Sequence, residues 1–225
     1  MKSTFALLIL GVSTSLLAQS NEEQRLKAAG QAMTEIMQAS DKGIPQDLLD
    51  KSECAIIVPG LKKGAFIFGG TYGKGFFTCR KSDGKGWGSP ASVSVEGGSF
   101  GLQVGGSESD IIMLVMNKKG ADRLLSSRFK LGGEASVAGG PVGRTSSAMT
   151  DAMLTAEILS YSRSRGLFAG VSLEGSTLRQ DENANRSLYG KSLTNKEIIS
   201  TNPQPPASAE PLLTQLNKYS AHKSN

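Results

Sequence analysis

The sequence predicts an α+β fold: a strongly curved, mostly antiparallel, glycine-rich β-sheet or partly closed barrel with flanking helices. Of the 225 residues, 27 are glycine, and they show no collagen-like period. These glycines fall at turns and inside apolar runs, where they permit positive φ, bulges and sharp bending of a sheet. Apolar residues at helical spacing occur near both ends of the chain, which places helices beside the sheet.

Residues 1–18 have the pattern of a signal peptide. One lysine precedes the apolar run FALLILGVSTSLLA, which is too short to cross a bilayer as a stable helix. Cleavage is expected after Ala18 or after Ser20, and no cysteine follows to become lipidated. We therefore expect export to a bacterial periplasm or out of the cell, with the protein peripheral on a membrane.

The charge of the chain favours anionic partners. The formal net charge is +5, and it falls to +4 when Lys2 is removed with the signal peptide. A nucleic-acid-binding protein would carry a denser basic face, so nucleic acid is not predicted as a partner. About 200 residues then remain, which suffice for one domain with its own core.

Two helices are predicted before the first strand. Leu26, Ala29, Met33 and Ile36 recur at helical spacing within an amphipathic helix over residues 21–40. Its apolar stripe is more typical of core packing than of membrane contact. A short second helix is expected to begin at Pro45, a residue that suits the first helical position.

The first strands are predicted from short apolar runs bounded by glycines. CAIIV from Cys54 should end at Pro59–Gly60, AFIF should form a second strand, and GFFTC a third after a turn over residues 70–73.

The next strands differ in their burial. The alternation of Ala91, Val93 and Val95 with polar residues predicts a strand with one face in water. Gly97–Gly98 should form a turn that leads from this strand into another. Residues 111–116, IIMLVM, are apolar throughout and predict a strand covered on both faces.

The second half of the chain carries clear boundary signals. Asn117 suits the N-cap of a helix, and Thr194 begins a capping-box pattern with Glu197. Residues 164–166 should turn a hairpin. We expect a single domain over residues 21–200, followed over residues 201–225 by a proline-rich linker and a tail helix.

The two cysteines leave two readings open. Cys54 and Cys79 would form one disulfide in an oxidising compartment if their strands are neighbours, or they are two buried residues that never meet. Two cysteines alone make no structural zinc site, and we predict no metal and no cofactor.

An enzymatic function is not predicted. Residues 97–101, GGSFG, match the G-x-S-x-G pattern of a serine hydrolase, with Ser99 as nucleophile. However, the sole histidine is His222 in the tail, and the residues around Ser99 suggest a strand instead of the required strand-to-helix turn.

Basic residues near turns, with aromatic residues between them, suggest a surface for lipid phosphates. The alternative is that these are solubilising charges above core aromatics. The candidates at this rim are Lys62, Lys63, Lys74, Arg80 and Trp87, with Arg163 and Arg165 at the later hairpin.

Four long sequence segments give the chain a family resemblance. They are CAIIVPGLKKGAFIFGGTYGKGFFTCR, GGSFGLQVGGSESDIIMLVMN, FKLGGEASVAGGPVGR and ILSYSRSRGLFAGVSLEGSTLRQDENANRSLYG. In this order they resemble the SYLF domain family, a lipid-binding domain also found in yeast actin-patch proteins, over residues 21–199.

This resemblance implies phospholipid binding, with phosphatidylinositol lipids as ligands in eukaryotic members and a link to actin in some. It also implies membrane contact by the first helix, through Arg25 and Lys27. The signal peptide argues against actin and phosphoinositides as partners here, and anionic phospholipids of a bacterial envelope replace them.

The sequence therefore predicts a non-catalytic domain that binds anionic phospholipid at a membrane surface. A protein-interaction or structural module of the cell envelope, with a protein partner not identified by the sequence, is the alternative. A hydrolase that uses Ser99 is the third hypothesis.

Overall fold

The computed structural model describes residues 21–38, 43–65, 68–100, 105–143, 154–164 and 167–221. These residues form an α+β fold in which a curled, mostly antiparallel sheet makes a half-barrel. The predicted fold class is therefore confirmed. The strand order is β5-β9-β3-β2-β1-β4-β7-β6, with β8 also paired to β7.

The described strands are β1 Cys54–Ala65, β2 Phe68–Cys79, β3 Ala91–Phe100, β4 Gly105–Val115, β5 Arg128–Lys130, β6 Val137–Gly139, β7 Ile158–Ser164, β8 Leu167–Gly170 and β9 Thr177–Gln180. The described helices are α1 Asn21–Gln38, α2 Gln46–Lys51, α3 Lys118–Leu124, α4 Glu182–Tyr189, α5 Asn195–Thr201 and α6 Glu210–Tyr219, the last preceded by a 3-10 turn at Ala207–Ala209. No helix within these ranges is long and apolar enough to span a membrane.

The first hairpin is longer than predicted. β1 continues through Pro59–Gly60 to Ala65, and β2 passes through Gly70–Gly73 without turning. At Gly60, with φ of +61°, the strand register is interrupted by a bulge instead of ending. The predicted turn at residues 70–73 is wrong because glycines serve here as strand residues that let neighbouring strands approach. A Cβ at Gly75 would lie 2.1 Å from the Ile57 carbonyl oxygen.

β3 differs from the prediction in the same way. It continues through Gly97–Gly98 to Phe100, in antiparallel register with β2. The predicted water-facing side is also wrong over the first half of the strand, since Ser92 and Ser94 are buried. Helices α4 and α5 pack against β3, and the Asn185 side chain of α4 accepts a hydrogen bond from the Ser92 N–H at 2.7 Å.

The sheet separates two apolar cores. Ala55 and Ile57 of β1 point into one core, with α1, α2 and α6, whereas Cys54, Ile56 and Val58 point into the other. Alternating side chains of one strand therefore serve both cores. β4 is buried at all five positions 111–115, and its predicted burial on both faces is confirmed.

Helix α1 uses its apolar stripe for the first core. Leu26, Ala29, Met33 and Ile36 are buried, and α6 crosses the helix at Gly30. A Cβ at Gly30 would lie 2.8 Å from the Leu212 backbone nitrogen, so glycine allows this close crossing. The apolar face of α1 is therefore covered by protein.

Candidate functional site

The sequence-predicted basic rim is divided between two regions of the sheet. Lys62 of β1 lies opposite Tyr72 of β2, near the end where β1 gives way to β2. Arg80 follows the other end of β2, eight residues beyond Tyr72, which corresponds to about 26 Å of extended strand. We call the first of these the hairpin end, defined by Lys62, Lys63, Tyr72 and the glycines beyond them. The two regions cannot form one phosphate-binding rim.

Arg80 is a structural residue. Its guanidinium donates to the carbonyl oxygens of Ser220 at 2.5 Å, Leu49 at 3.0 Å and Ser52 at 3.3 Å. It also lies over the Trp87 ring, 4.1 Å from the centroid. Burial lowers the pKa of Arg80 from its ordinary value. This side chain caps the C-terminal end of α6, so its assignment to lipid is corrected.

Trp87 is in the first core and only 1% exposed. Its Nε1–H donates to the Ser220 carbonyl oxygen at 2.9 Å. The predicted contact of the Trp87 ring with a membrane is wrong, because α6 packs over the ring. The sequence offered no sign of the contact with Ser220, since 133 residues separate the two partners.

A cleft of about 560 Å³ lies between α1 and the sheet. It brings together four of the sequence-predicted cations and the exposed ring of Tyr72, together with three carboxylates. The lining cations are Arg25, Lys62, Lys74 and Arg163, and the carboxylates are Glu35, Glu108 and Asp110.

Three of these cations are held in ion pairs. Arg163 binds Asp110 at 2.6 Å and also Glu35 of α1, and Lys74 binds Asp181 at 2.6 Å. Arg25 pairs with Glu22 at 3.2 Å. The hydrogen bond to Asp181 raises the pKa of Lys74, against the opposing effect of burial. These side chains stabilise the fold. Because carboxylates of the protein neutralise them, they attract an anionic ligand only weakly.

Lys62 and Lys63 are different. Neither ammonium makes an ion pair with any described residue. Lys62 is exposed and Lys63 is half-buried. As neighbours on one strand they project from opposite faces of the sheet, so the hairpin end carries a cation on each side.

Tyr72 belongs to the aromatic residues between the predicted basic residues, although Trp87 is the one predicted as a site residue. The Tyr72 ring is 51% exposed and lies opposite Lys62. The alternation of β2 could have pointed to it, since Tyr72 and Lys74 occupy the same face as Phe76.

Two predicted residues lie elsewhere. Lys27 is exposed on α1, and its side chain does not line the cleft. Arg165 lies outside the described residues, as do the predicted signal peptide and His222.

A row of glycines crosses four strands beyond Lys62. Gly98, Gly70, Gly64 and Gly106 are mutually in register on β3, β2, β1 and β4. A Cβ at Gly64, Gly70 or Gly98 would meet no atom within 4 Å in the described part of the chain. The sequence suggests turns or bends at these glycines, whereas the strand pairing aligns them in one strip of backbone.

The structure joins Cys54 and Cys79, which lie directly opposite each other on β1 and β2, by a disulfide. Ser99 belongs to β3 and pairs with Gly69, so its backbone is that of a strand and not of a nucleophile elbow. Among the described residues, no group of three or more His, Cys, Asp or Glu side chains could hold a metal ion.

Comparison with known proteins identifies related chains. A family model described as Ysc84, Las17-binding protein actin regulator, matches residues 96–219. LAS seventeen-binding protein 3 of Saccharomyces cerevisiae is 34% identical over 209 residues, which cover 91% of this chain and 45% of the relative.

Two further relatives give the same result. An SH3 domain-containing protein of Schizosaccharomyces pombe is 36% identical over 88% of this chain and 47% of its own length. The SH3 domain-containing YSC84-like protein 1 of Homo sapiens is 30% identical over 92% of this chain and 61% of its own length. The chain thus spans less than half of the yeast relatives that it matches.

Proposed function

Because the chain belongs to the Ysc84 (SYLF) family, whose relatives carry the names of binding proteins and regulators, we propose that it is a non-catalytic domain that binds anionic phospholipid. The hairpin end supplies the binding surface, with Lys62 and Lys63 at the lipid phosphates. The observation that carries this proposal is the pair of lysines without ion-pair partners among the described residues, beside the exposed Tyr72.

The charges support a surface for phosphates. Arg25, Lys74 and Arg163 are occupied by carboxylates, so Lys62 and Lys63 are the predicted cations near the cleft that retain free charge within the described chain. A basic residue near an anionic membrane contributes about 1 kcal/mol. An aromatic ring with a polar tip suits the headgroup level. Two lysines and Tyr72 give a weak, reversible attachment.

Vesicle co-sedimentation tests the proposal. We expect the purified chain to bind vesicles of phosphatidylcholine with phosphatidylglycerol, and binding to fall as salt is raised. Binding to phosphatidylcholine alone should be much weaker. Equal, salt-insensitive recovery on both vesicles would refute the electrostatic attachment.

Charge reversal tests the chosen residues. The double variant Lys62→Glu, Lys63→Glu should lose at least tenfold in affinity for the anionic vesicles. The matched control is Lys81→Glu, Lys85→Glu, which makes the same charge change at exposed positions beyond the other end of β2. If both double variants lose affinity equally, net charge and not the hairpin end controls binding.

A protein partner is the second candidate function, because the relatives are named for binding Las17. A partner would use exposed residues other than Lys62 and Lys63. Recovery of a specific protein on immobilised chain, unchanged by the Lys62→Glu, Lys63→Glu double variant, would favour it.

Export to the cell envelope is also part of the proposal. N-terminal sequencing of protein purified from its host should find a mature chain that begins at Gln19 or Asn21. A mature chain that retains residues 1–18 would contradict export by a cleaved signal.

A further inference from the structure

The hairpin end has an arrangement that the proposed function does not itself require. Lys62 of β1, Tyr72 of β2, Glu96 of β3 and Glu108 of β4 lie on one row across the sheet. On β8, Leu167 pairs with Ser164, whose hydroxyl donates to the Glu108 carbonyl oxygen at 3.0 Å. Leu167 therefore lies at the level of this row, and it is 73% exposed.

Beyond this row the same face carries glycine on four strands, and Phe68 of β2 pairs with Phe100 of β3 two residues further along. The next in-register residues on that face are Gly98, Gly70, Gly64 and Gly106. Their strands are paired with one another, so the ladder satisfies backbone N–H and C=O groups between them. A paired backbone enters an apolar phase at far lower cost than an unpaired one.

The charges of the row permit contact with an anionic surface. The Arg179 side chain neutralises Glu96 at 3.2 Å. The Glu108 carboxylate lies over the bulge, where its Oε1 is 2.7 Å from the position of a Cβ at Gly60, back from the hairpin end. Lys62 and Lys63, on opposite faces of β1, remain without partners among the described residues.

We propose that the sheet meets the membrane end-on: the paired glycine row enters the headgroup layer, while Lys62, Lys63, Tyr72 and Leu167 surround the sheet at the level of the phosphates. This inference rests on the proposed lipid binding and adds its orientation. Only an end-on approach brings lysines from both faces of β1 to one lipid surface, whereas a face-on approach would use one of them.

Two positions of the glycine row are suitable for substitution. Gly64→Asn and Gly70→Asn should fold normally, since neither position has positive φ and neither Cβ meets a described atom within 4 Å. Each places a polar side chain on the entering backbone and leaves the net charge unchanged. We expect affinity for vesicles of phosphatidylcholine with phosphatidylglycerol to fall at least fivefold. Ser82→Asn, exposed beyond the other end of β2, is the matched control and should bind like the parent.

Fluorescence gives an independent readout of orientation. The sole native tryptophan, Trp87, is buried and supplies a constant background. The tryptophan emission of Leu167→Trp should shift to the blue on anionic vesicles and be quenched by brominated lipid. The emission of Gln31→Trp, on the exposed face of α1, and of Lys85→Trp should do neither.

The outcomes separate the two proposals. Failure of the parent chain to bind anionic vesicles would refute the proposed function. Binding that depends on Lys62 and Lys63, but is unaffected by Gly64→Asn and Gly70→Asn and is accompanied by stronger quenching of Gln31→Trp than of Leu167→Trp, would overturn the end-on orientation alone.

Discussion

At the scale of single residues, two arginines show how a hydrogen-bonded, half-buried charge differs from an exposed one in this chain. Arg80 donates to three backbone carbonyl groups and lies over the Trp87 ring, whereas Arg128 is exposed on the edge strand β5. A hydrogen bond from a charged group contributes about 1.5–3 kcal/mol, and loss of the donor leaves buried carbonyl groups unsatisfied.

Arg80→Met should therefore lower the free energy of unfolding by about 2–4 kcal/mol, since several such bonds are lost together. Arg128→Met is the matched control and should change it by less than about 0.5 kcal/mol. Urea titration followed by circular dichroism measures both. Vesicle binding by the folded Arg80→Met protein should equal that of the parent; a selective loss of binding without loss of stability would return Arg80 to the lipid site.

The ion pair between Lys74 and Asp181 predicts a dependence of stability on pH. Burial opposes ionisation of Asp181, but hydrogen bonds from Lys74 and from the Ala184 N–H lower its pKa below the ordinary 3.8. The pKa of Lys74 is raised above the ordinary 10.5. The stabilisation is thus present above about pH 4 and is lost as pH falls through the depressed pKa of Asp181; it is also lost as pH rises through the raised pKa of Lys74.

Asp181→Asn isolates this effect, because asparagine also caps a helix well and the side chain of Asp181 accepts the Ala184 N–H at the start of α4. We expect the variant to be less stable than the parent by up to about 1 kcal/mol between pH 5 and 9. The difference should shrink below about pH 3. Thermal unfolding across this range measures it, and a constant difference down to pH 2 would contradict the role of the carboxylate.

At the scale of elements, glycines determine how closely helices and strands approach. Gly30 of α1 faces the start of α6, where a Cβ would lie 2.8 Å from the Leu212 nitrogen and 2.9 Å from the Pro211 Cβ. Alanine would otherwise favour a helix by about 0.5–1 kcal/mol over glycine. Because the contact is to backbone that other packing holds in place, the overpacking should outweigh this gain.

Gly30→Ala should therefore lower the free energy of unfolding by about 1–2 kcal/mol, from the typical cost of overpacking. Gly64→Ala, whose Cβ meets no described atom within 4 Å, is the control and should not lower stability by more than about 0.5 kcal/mol. Chemical denaturation measures both. A stabilised Gly30→Ala protein would show that α6 shifts easily on α1.

At the scale of the whole molecule, local patterns predicted much of the fold. The helix near the N-terminus, the N-cap at Asn117, the capping box at Thr194 and the buried strand β4 follow from side chains close in sequence, and the structure contains them. The glycine turns were wrong because Gly60 and Gly70–Gly73 have their effect between strands, at contacts that a single strand does not reveal.

Part of the predicted site is wrong for a similar reason, because the positions of those residues depend on contacts far along the chain. The sequence predicts Lys62 and Lys63 beyond a strand that ends at Pro59–Gly60, whereas they lie within β1, close to its last residue Ala65. Arg80 and Trp87 could not be placed, because their burial depends on Ser220, which follows 140 and 133 residues later. The register that aligns four glycines also depends on the pairing of four strands.

The C-terminal helix belongs to this whole-molecule packing. Leu212 and Leu216 of α6 are fully buried against α1, and Ser220 binds both Arg80 and Trp87. Residues 202–206 lead directly into this contact: the Ser89 N–H donates to the Asn202 side chain at 2.8 Å. The segment that the sequence suggested as a linker and tail thus completes the first core.

Leu212→Ala and Leu216→Ala should each lower the free energy of unfolding by about 2–5 kcal/mol, the usual cost of a cavity at a buried leucine. Thr214→Ala, exposed on the same helix, should cost less than about 0.5 kcal/mol. Deletion of residues 202–221 should abolish cooperative unfolding, measured by circular dichroism, because it uncovers Leu26 and Met33 of α1. A stable, cooperatively folding truncated chain would contradict this. If the helix is essential to the core, a protein partner at α6 must be sought with exposed substitutions such as Lys218→Glu, since deletion would remove lipid binding and protein binding together.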